Sequence, residues 1–325
     1  MVDTKGNAAP AKGTADSAPQ PASPSAPYTP LYPTSGVFAP DKRLDLRGRF
    51  DMHVHTAPDL TPRHYTDIQL VDAAAQAGAA GLVLKAHHGS TEARAYLCNQ
   101  YVAEHYPESA LAVFGSVVLN TDVGGLNPRR VETVLDLGGK EVWLLTIDAK
   151  NDRAKHGKQG GLTVYTEAGR LAPELHEIFS LVREHDAVLA TGHISPAESY
   201  DVIKAARAAG ARHIVVTHPE FWVVGMTFDE QRQLIDEFDV IMERCYRQPR
   251  KDGTWPSNLE VNLRAIHELG YANTMIDTDS GQTVTPAWED GFTDCVNFLY
   301  ARGVPEAQID YMTKTVPARL LGVEA

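Results

Sequence analysis

Six short segments place histidine or aspartate directly after an apolar run: Asp51-Met52-His53-Val54-His55, Leu84-Lys85-Ala86-His87-His88, Thr146-Ile147-Asp148, Thr191-Gly192-His193, Thr217-His218-Pro219 and Ile276-Asp277-Thr278-Asp279. Imidazole nitrogen and carboxylate oxygen bind zinc and related divalent ions, and a catalytic site of this kind keeps one position open for water. His53 and His55 are two residues apart, so on a strand both project from one face and can share an ion, while Met52 and Val54 point outward into a helix layer. Alone, such a pair is as readily structural. Joined by His193, His218 and Asp279 at the ends of later apolar runs, it describes a metal site.

The neighbouring residues admit several roles. Asp277 and Asp279 share a face, and Asp279, nearer the strand end, is the better candidate for metal ligand and proton acceptor. Asp277 also suits a carboxylate that holds a ligand histidine in one tautomer. Lys85 and His87 share a face on the second strand, with His88 on the other. Three roles fit Lys85: a carbamylated, bridging carboxylate, a cation for a substrate anion, or the partner of an acid. His87 suits a ligand or proton shuttle. Glu243 and Cys245 end the seventh strand on one face; Glu243 could bind metal or orient a water or substrate, and Cys245 reads as a small buried apolar residue. Arg63 and His64, after the first strand, are placed to clamp a substrate carboxylate or phosphate, or else are solvated loop residues.

Neither a GxSxG elbow nor a P-loop occurs, and no cysteine lies in a nucleophile motif, which leaves metal-activated water as the leading nucleophile. The elements that must position these groups alternate. From Leu44 onward β-branched apolar runs alternate with stretches of helical spacing, and this order predicts an α/β fold with a parallel sheet. About eight strands are expected, near 50–55, 81–87, 112–119, 141–147, 187–193, 213–218, 240–245 and 274–279, with helices near 66–77, 91–104, 128–137, 172–185, 197–209, 228–238 and 259–269. Eight strand-helix repeats predict a (β/α)8 TIM barrel, regular or distorted, rather than an open doubly wound sheet, since the first turn reads HTAPDLTPR and lacks a glycine fingerprint. Barrel enzymes hold their active sites at the C-terminal ends of the strands, where all six segments fall. The loop Asp148–Thr166 is long enough to be a lid or substrate loop, or a solvated insertion.

Composition narrows the partners. The chain has 325 residues, 43% of them hydrophobic, and a net charge of -12, which argues against nucleic acid and leaves a small-molecule substrate. Its three cysteines form no CxxC pair, a pattern of reducing compartments. Without a membrane-length apolar run or a signal-peptide order, the expectation is a cytoplasmic protein with no membrane partner. Residues 1–43 are expected to form an extended or disordered arm, with eight Pro and eight Ala in the first forty positions, and residues 44–325 the barrel. Tyr28, Leu31, Tyr32, Val37 and Phe38 would anchor the arm on the body or on a second copy in a homo-oligomer.

DMHVHT, ATGH, VTHPE and IDTDSGQ, in this order over roughly residues 50–320, resemble the amidohydrolase superfamily of metal-dependent barrel hydrolases. More narrowly, DMHVHTAPD with LVLKAHHGST, VLNTDVGGLNP and GGLTV resembles a hydrolase-like branch that fixes no substrate. The resemblance implies His53 and His55 as first-strand ligands, His193 and His218 as later ligands, and Asp279 as acid/base. The bridging lysine of that superfamily usually follows strand four; that segment here reads TIDAKND, which leaves Lys150 or Asp148 for its role, or a site with one metal. DxHxH also opens the polymerase-and-histidinol-phosphatase family, whose pattern His87 would suit. The expected cofactor is therefore one or two divalent ions, zinc first, manganese or iron otherwise. The expected activity is hydrolysis of an amide, cyclic amide, lactone or ester bond, with phosphoester hydrolysis, decarboxylation or a non-catalytic metal-binding barrel as alternatives.

Overall fold

The computed structural model describes residues 42–324, so the arm and its proposed anchors lie outside the described residues apart from Lys42 and Arg43. Parallel strands β1 (Phe50–His55), β2 (Gly81–Lys85) and β3 (Ala112–Phe114) pair in that order. A second parallel run follows as β4 (Ser116–Val118), β5 (Glu141–Trp143), β6 (Val188–Ala190), β7 (His213–Val216), β8 (Ile241–Cys245) and β9 (Thr274–Asp277). β3 and β4 are halves of one strand broken at Gly115, so the expected eight are present, each ending slightly earlier than its apolar run or with it. Beyond β9, Ser280 bridges in parallel to Val54 and accepts the His55 amide at 2.8 Å, bringing the last strand back to the first. This is the (β/α)8 barrel.

Helices cover the outside: α1 (Asp67–Ala77), α2 (Glu92–His105), α3 (Pro128–Asp136), α4 (Lys150–Lys155), α5 (Glu174–Glu184), α6 (Pro196–Ala208), α7 (Phe228–Phe238), α8 (Leu259–Leu269) and α9 (Trp288–Ala301). Several start where the chemistry of their first residues demands. Thr66, Ser195 and Thr227 each accept a backbone amide of the first turn, while Gln69, Glu198 and Glu230 reach back to the cap, so two exposed donors are satisfied at each end. α4 and α9 were not anticipated. α4 turns the expected loop Asp148–Thr166 into a folded insertion, tied at its base by a bridge between Ala149 and Leu162.

The barrel interior divides by height. Its lower half is mostly apolar: Phe50, Met52, Val83, Val118, Trp143 and Met275 meet Val316, Ala318, Leu320 and Leu321 of the C-terminal helix, which closes that end, while Glu141 at the start of β5 is buried with neither carboxylate oxygen paired among the described residues. Each large apolar side chain withdrawn from water contributes roughly 1.5–3 kcal/mol. Met52 corrects the simple alternation. Between Asp51 and Val54 the register with β2 shifts by one residue, a bulge that turns Met52 inward and still leaves His53 and His55 inward, with only Val54 in the helix layer. Among the described residues no helix is long and apolar enough to cross a membrane.

Candidate metal centre and active-site cavity

Above the apolar half, the strand ends bring five imidazoles together. The rings run His53, His55, His87, His193, His218 and back to His53, with neighbouring centroids 4.9 to 6.0 Å apart. Asp279 completes the floor: its Oδ1 lies 3.1 Å from His53 Nε2 and 3.2 Å from His55 Nε2. A cavity of about 230 Å³ opens above, with His55, Lys85, His87, His193, His218 and Asp279 in its wall. His53 is fully buried beneath it.

Two strand ends leave ordinary geometry to achieve this. His218 and Asp279 both have positive φ, 24° and 51°, a conformation that costs a non-glycine residue energy and aims each side chain off the strand direction. The adjacent glycines are forced by closeness. A Cβ on Gly281 would stand 1.9 Å from the His55 carbonyl oxygen, and one on Gly192 would stand 2.5 Å from that of Leu145. Without side chains there, the segments bearing Asp279 and His193 approach their neighbours closely enough to join the ring.

Carboxylates behind the ring fix its orientation. Glu243 Oε1 lies 3.0 Å from His53 Nδ1, and its Oε2 accepts the backbone amide of His218 at 3.1 Å. Asp152, on α4, lies 2.6 Å from His193 Nδ1 and 2.9 Å from His156 Nδ1. Asn151 clamps the same helix by donating to the carbonyls of His193 and Val223. Thr146 Oγ1 holds His87 Nδ1 at 2.9 Å. Carboxylate partners of this kind set the tautomer of a ligand histidine and raise its basicity.

Electrostatics leaves most of the ring neutral. Burial pushes His55 down to about 3, helped by Arg63, and burial also drives His87 and His218 well below the ordinary imidazole value. His193 is lowered by burial despite Asp152. Burial alone would raise the Asp279 carboxyl, but His53 and His55 beside it hold it well below the usual carboxylate range. Lys85, buried, is lowered by desolvation against the pull of Asp279 and Glu243. Its Nζ stands 2.9 Å from His53 Nε2 and 3.9 Å from the Trp143 ring centre.

The donor set fits a divalent cation. Nε2 of His53 and Nε2 of His55 converge on one Asp279 oxygen, with Lys85 Nζ 2.9 Å from the former, so that either protons or a divalent cation can lie between nitrogen and carboxylate. Ligand atoms bound at ~2.1 Å with angles near ~90–110° lie ~3.0–3.4 Å apart, and the two separations at Asp279 fall in that range. Nδ1 of both His55 and His218 is buried with no protein partner among the described residues, another sign of an uncompensated site.

Several expectations are redistributed. Glu243 does not line the cavity; it lies behind His53 and His218, so it is a positioner and not a substrate contact. Asp277 holds no histidine: its Oδ1 accepts the Met52 amide at 2.7 Å, fastening β1 at the bulge. His64 is exposed, edge-on to Tyr65, and outside the cavity wall. Asp148 caps the Thr121 amide and Lys150 is exposed, so neither fills the strand-four position, where Thr146 meets His87 instead. Arg63 does line the cavity. His88 turns away to Asp122, as the alternation predicts. Cys245 Sγ is 3.8 Å from His53 Nδ1 and forms a close triad with His53 and Asp279, yet burial drives its thiol well above the ordinary value, which disfavours the thiolate a metal needs. Asp152 and His156 were missed; an Asp and a His four residues apart at the base of an insertion were the available signal.

A family model described as a family of unknown function, DUF6282, matches residues 48–243, more than half of the 325-residue chain. The chain belongs to this family. The DUF6282 match contains all five ring histidines, Lys85 and Glu243, and ends before Asp279. No curated protein matches the sequence. Among solved structures, an amidohydrolase from Pseudomonas aeruginosa superposes with a TM-score of 0.60 at 13% identity, covering 84% of this chain and 95% of that one. The probable dipeptidase PvdM from Pseudomonas aeruginosa gives 0.58 at 11%, covering 84% and 94%. A dihydroorotase gives 0.52 at 16%, covering 92% and 90%. This DUF6282 protein therefore has the amidohydrolase barrel fold.

Proposed function

We propose that the protein is a metal-dependent hydrolase that cleaves an amide, cyclic amide, lactone or ester bond of a small molecule. The observation that carries the reading is the approach of one Asp279 oxygen to Nε2 of His53 at 3.1 Å and of His55 at 3.2 Å, ringed by His87, His193 and His218 at the floor of one cavity. His53, His55, His87, His193, His218 and Asp279 would hold one or two ions, and an imidazole-rich set with one carboxylate favours zinc over the more oxygen-seeking manganese. The ion, when bound, supplies Lewis acidity that polarises the scissile carbonyl and makes a water acidic enough to attack near neutral pH.

The chain's own groups do the rest. Asp279 remains ionised at neutral pH and can take the proton of the attacking water, then return it to the leaving atom. Glu243 and Asp152 hold His53 and His193 with Nε2 turned to the cavity side. His87, with its Nδ1 held by Thr146, faces the cavity across the floor. Lys85 adds an amine against His53, and a carbon dioxide adduct there would add a carboxylate to the donors. The shared fold of the hydrolytic enzymes above supports the reading. The test is elemental analysis of protein purified without added metal, followed by a panel of amides, lactones, esters and phosphoesters. Stoichiometric zinc with turnover on a carboxylic acid derivative is expected; absence of bound metal, or turnover on phosphoesters alone, overturns it.

A further inference from the structure

We propose that the outer wall of this cavity is a carboxylate subsite formed by Arg63 and Gln282, so that the substrate is the amide, lactone or ester of an organic acid with a second, free carboxylate. The proposal rests on the hydrolase reading for the reacting bond, but the subsite stands on its own geometry.

Arg63 is unusually committed for a loop arginine. Its side chain is 4% exposed, and Nε and Nη2 both donate to one oxygen of Asp59, at 3.0 and 2.8 Å. The other Asp59 oxygen accepts the Thr61 amide at 3.0 Å, so the acid is fully used in holding the guanidinium. A guanidinium has five N–H donors in a fixed plane, and Nη1 of Arg63 has no partner among the described residues although the residue lines the cavity. Gln282 also lines the cavity, and its backbone bridges that of Arg63, which places the two residues side by side. Neither atom of the Gln282 amide has a partner among the described residues, and its Oε1 is buried. That buried oxygen is an acceptor and can take only an N–H or O–H of a ligand; the amide nitrogen is the donor that a carboxylate would use.

Two unused donors, one charged and one neutral, on adjacent rigid backbones match the two oxygens of a carboxylate. The charge balance favours a monoanion. Asp59 cancels the formal charge of Arg63, so the pair would leave a phosphate dianion undercompensated. Pro249 and Trp255, from the loop after β8, and Phe221, from the loop after β7, complete the wall. At about 230 Å³ the cavity lies below the common range of ligand pockets, ~300–1,000 Å³, and suits a compact acid. The charged Asp279 oxygen and the ring lie on the same cavity, so an acid held at Arg63 presents its other end to them.

The experiment is calorimetric titration of the full chain with glutarate, with the neutral isostere glutaramide and with inorganic phosphate, as purified and after chelation. Glutarate is expected to bind in both states and glutaramide in neither. Arg63→Met should weaken glutarate at least tenfold, Arg63→Lys less, and Gln282→Leu a few-fold. Glutarate binding that disappears on chelation but survives Arg63→Met would place the carboxylate on the metal and overturn the subsite while leaving the hydrolase reading intact. Equal binding of glutaramide, or preference for phosphate, also overturns it. If circular dichroism shows Arg63→Met unfolded, Arg63→Lys and Gln282→Leu carry the test, and an unchanged glutarate affinity in both overturns it.

Discussion

The two ends of the barrel treat buried polar groups differently. At the closed end, Arg49 is buried yet tied to Asp45, Thr313 and Asp310, Asn297 spans both backbone groups of Leu44, and apolar side chains fill the remainder. At the open end, imidazole nitrogens and an amide are left unpaired around one cavity. The closed end is not free of such features: Glu141 at the start of β5 is buried with both oxygens unpaired among the described residues, and Asp186 and Asp239, just before β6 and β8, have positive φ as His218 and Asp279 do. What separates the two ends is convergence, because only at the open end do several such groups line one cavity where a ligand can use them. Trp143 is the boundary, with its ring packed among the apolar side chains below and against His53 and Lys85 above.

If that division holds, substitutions at the two ends should separate activity from stability. The largest effect is expected from Asp279→Asn, because asparagine tolerates positive φ but cannot take a proton: turnover should fall ~10²–10⁴-fold, with most of the metal retained on elemental analysis and the melting temperature nearly unchanged. Next comes Leu321→Ala at the fully buried closed end, expected to cost ~2–5 kcal/mol and roughly 5–15 °C of melting temperature, with kcat/KM of the folded protein unaltered. A drop in kcat/KM to match would erase the division.

Asp152→Asn sharpens it from the other side, since this residue stands in an outer insertion yet touches the ring. Metal affinity or kcat should fall ~10–100-fold while the melting curve of the chelated protein stays in place; a purely structural helix would show the reverse. The smallest effect is expected from Trp288→Phe, which removes the 2.8 Å hydrogen bond from the indole to buried Asp51. Asp51 is held by four donors and lies just behind His53, so a loss of ~1–3 kcal/mol in denaturant unfolding with only a minor change in turnover would assign it to support of β1 and not to chemistry.

Much of this was legible from residue order. Alternation of apolar runs with helical spacing depends on burial of one face at a time, and that local rule located seven of the nine outer helices and every strand to within a few residues. Three features differ from that reading, each for its own reason. α9 buries Trp288, Phe292, Cys295, Val296, Phe298 and Leu299 and turns Glu289, Asp290, Thr293 and Asp294 to a less buried face, so its period is legible in the sequence, although the expected helices stop at 269. α4 is only six residues long and is held by contacts with distant loops rather than by its own propensity. Met52 was misplaced because a bulge is a property of two paired strands, invisible in either alone.

The order of residues by itself determined that histidines 53, 55, 87, 193 and 218 and Asp279 stand at or just beyond strand ends on one rim, since the alternation of apolar runs with helices fixes where each strand ends. Which carboxylate holds which imidazole was decided only when the barrel closed. Asp152 lies 41 positions before His193, Glu243 lies 190 after His53, and Arg63 meets Gln282 across the closing seam. Such pairings are set by three-dimensional distance, and chain connectivity places no constraint on them until the last strand returns to the first.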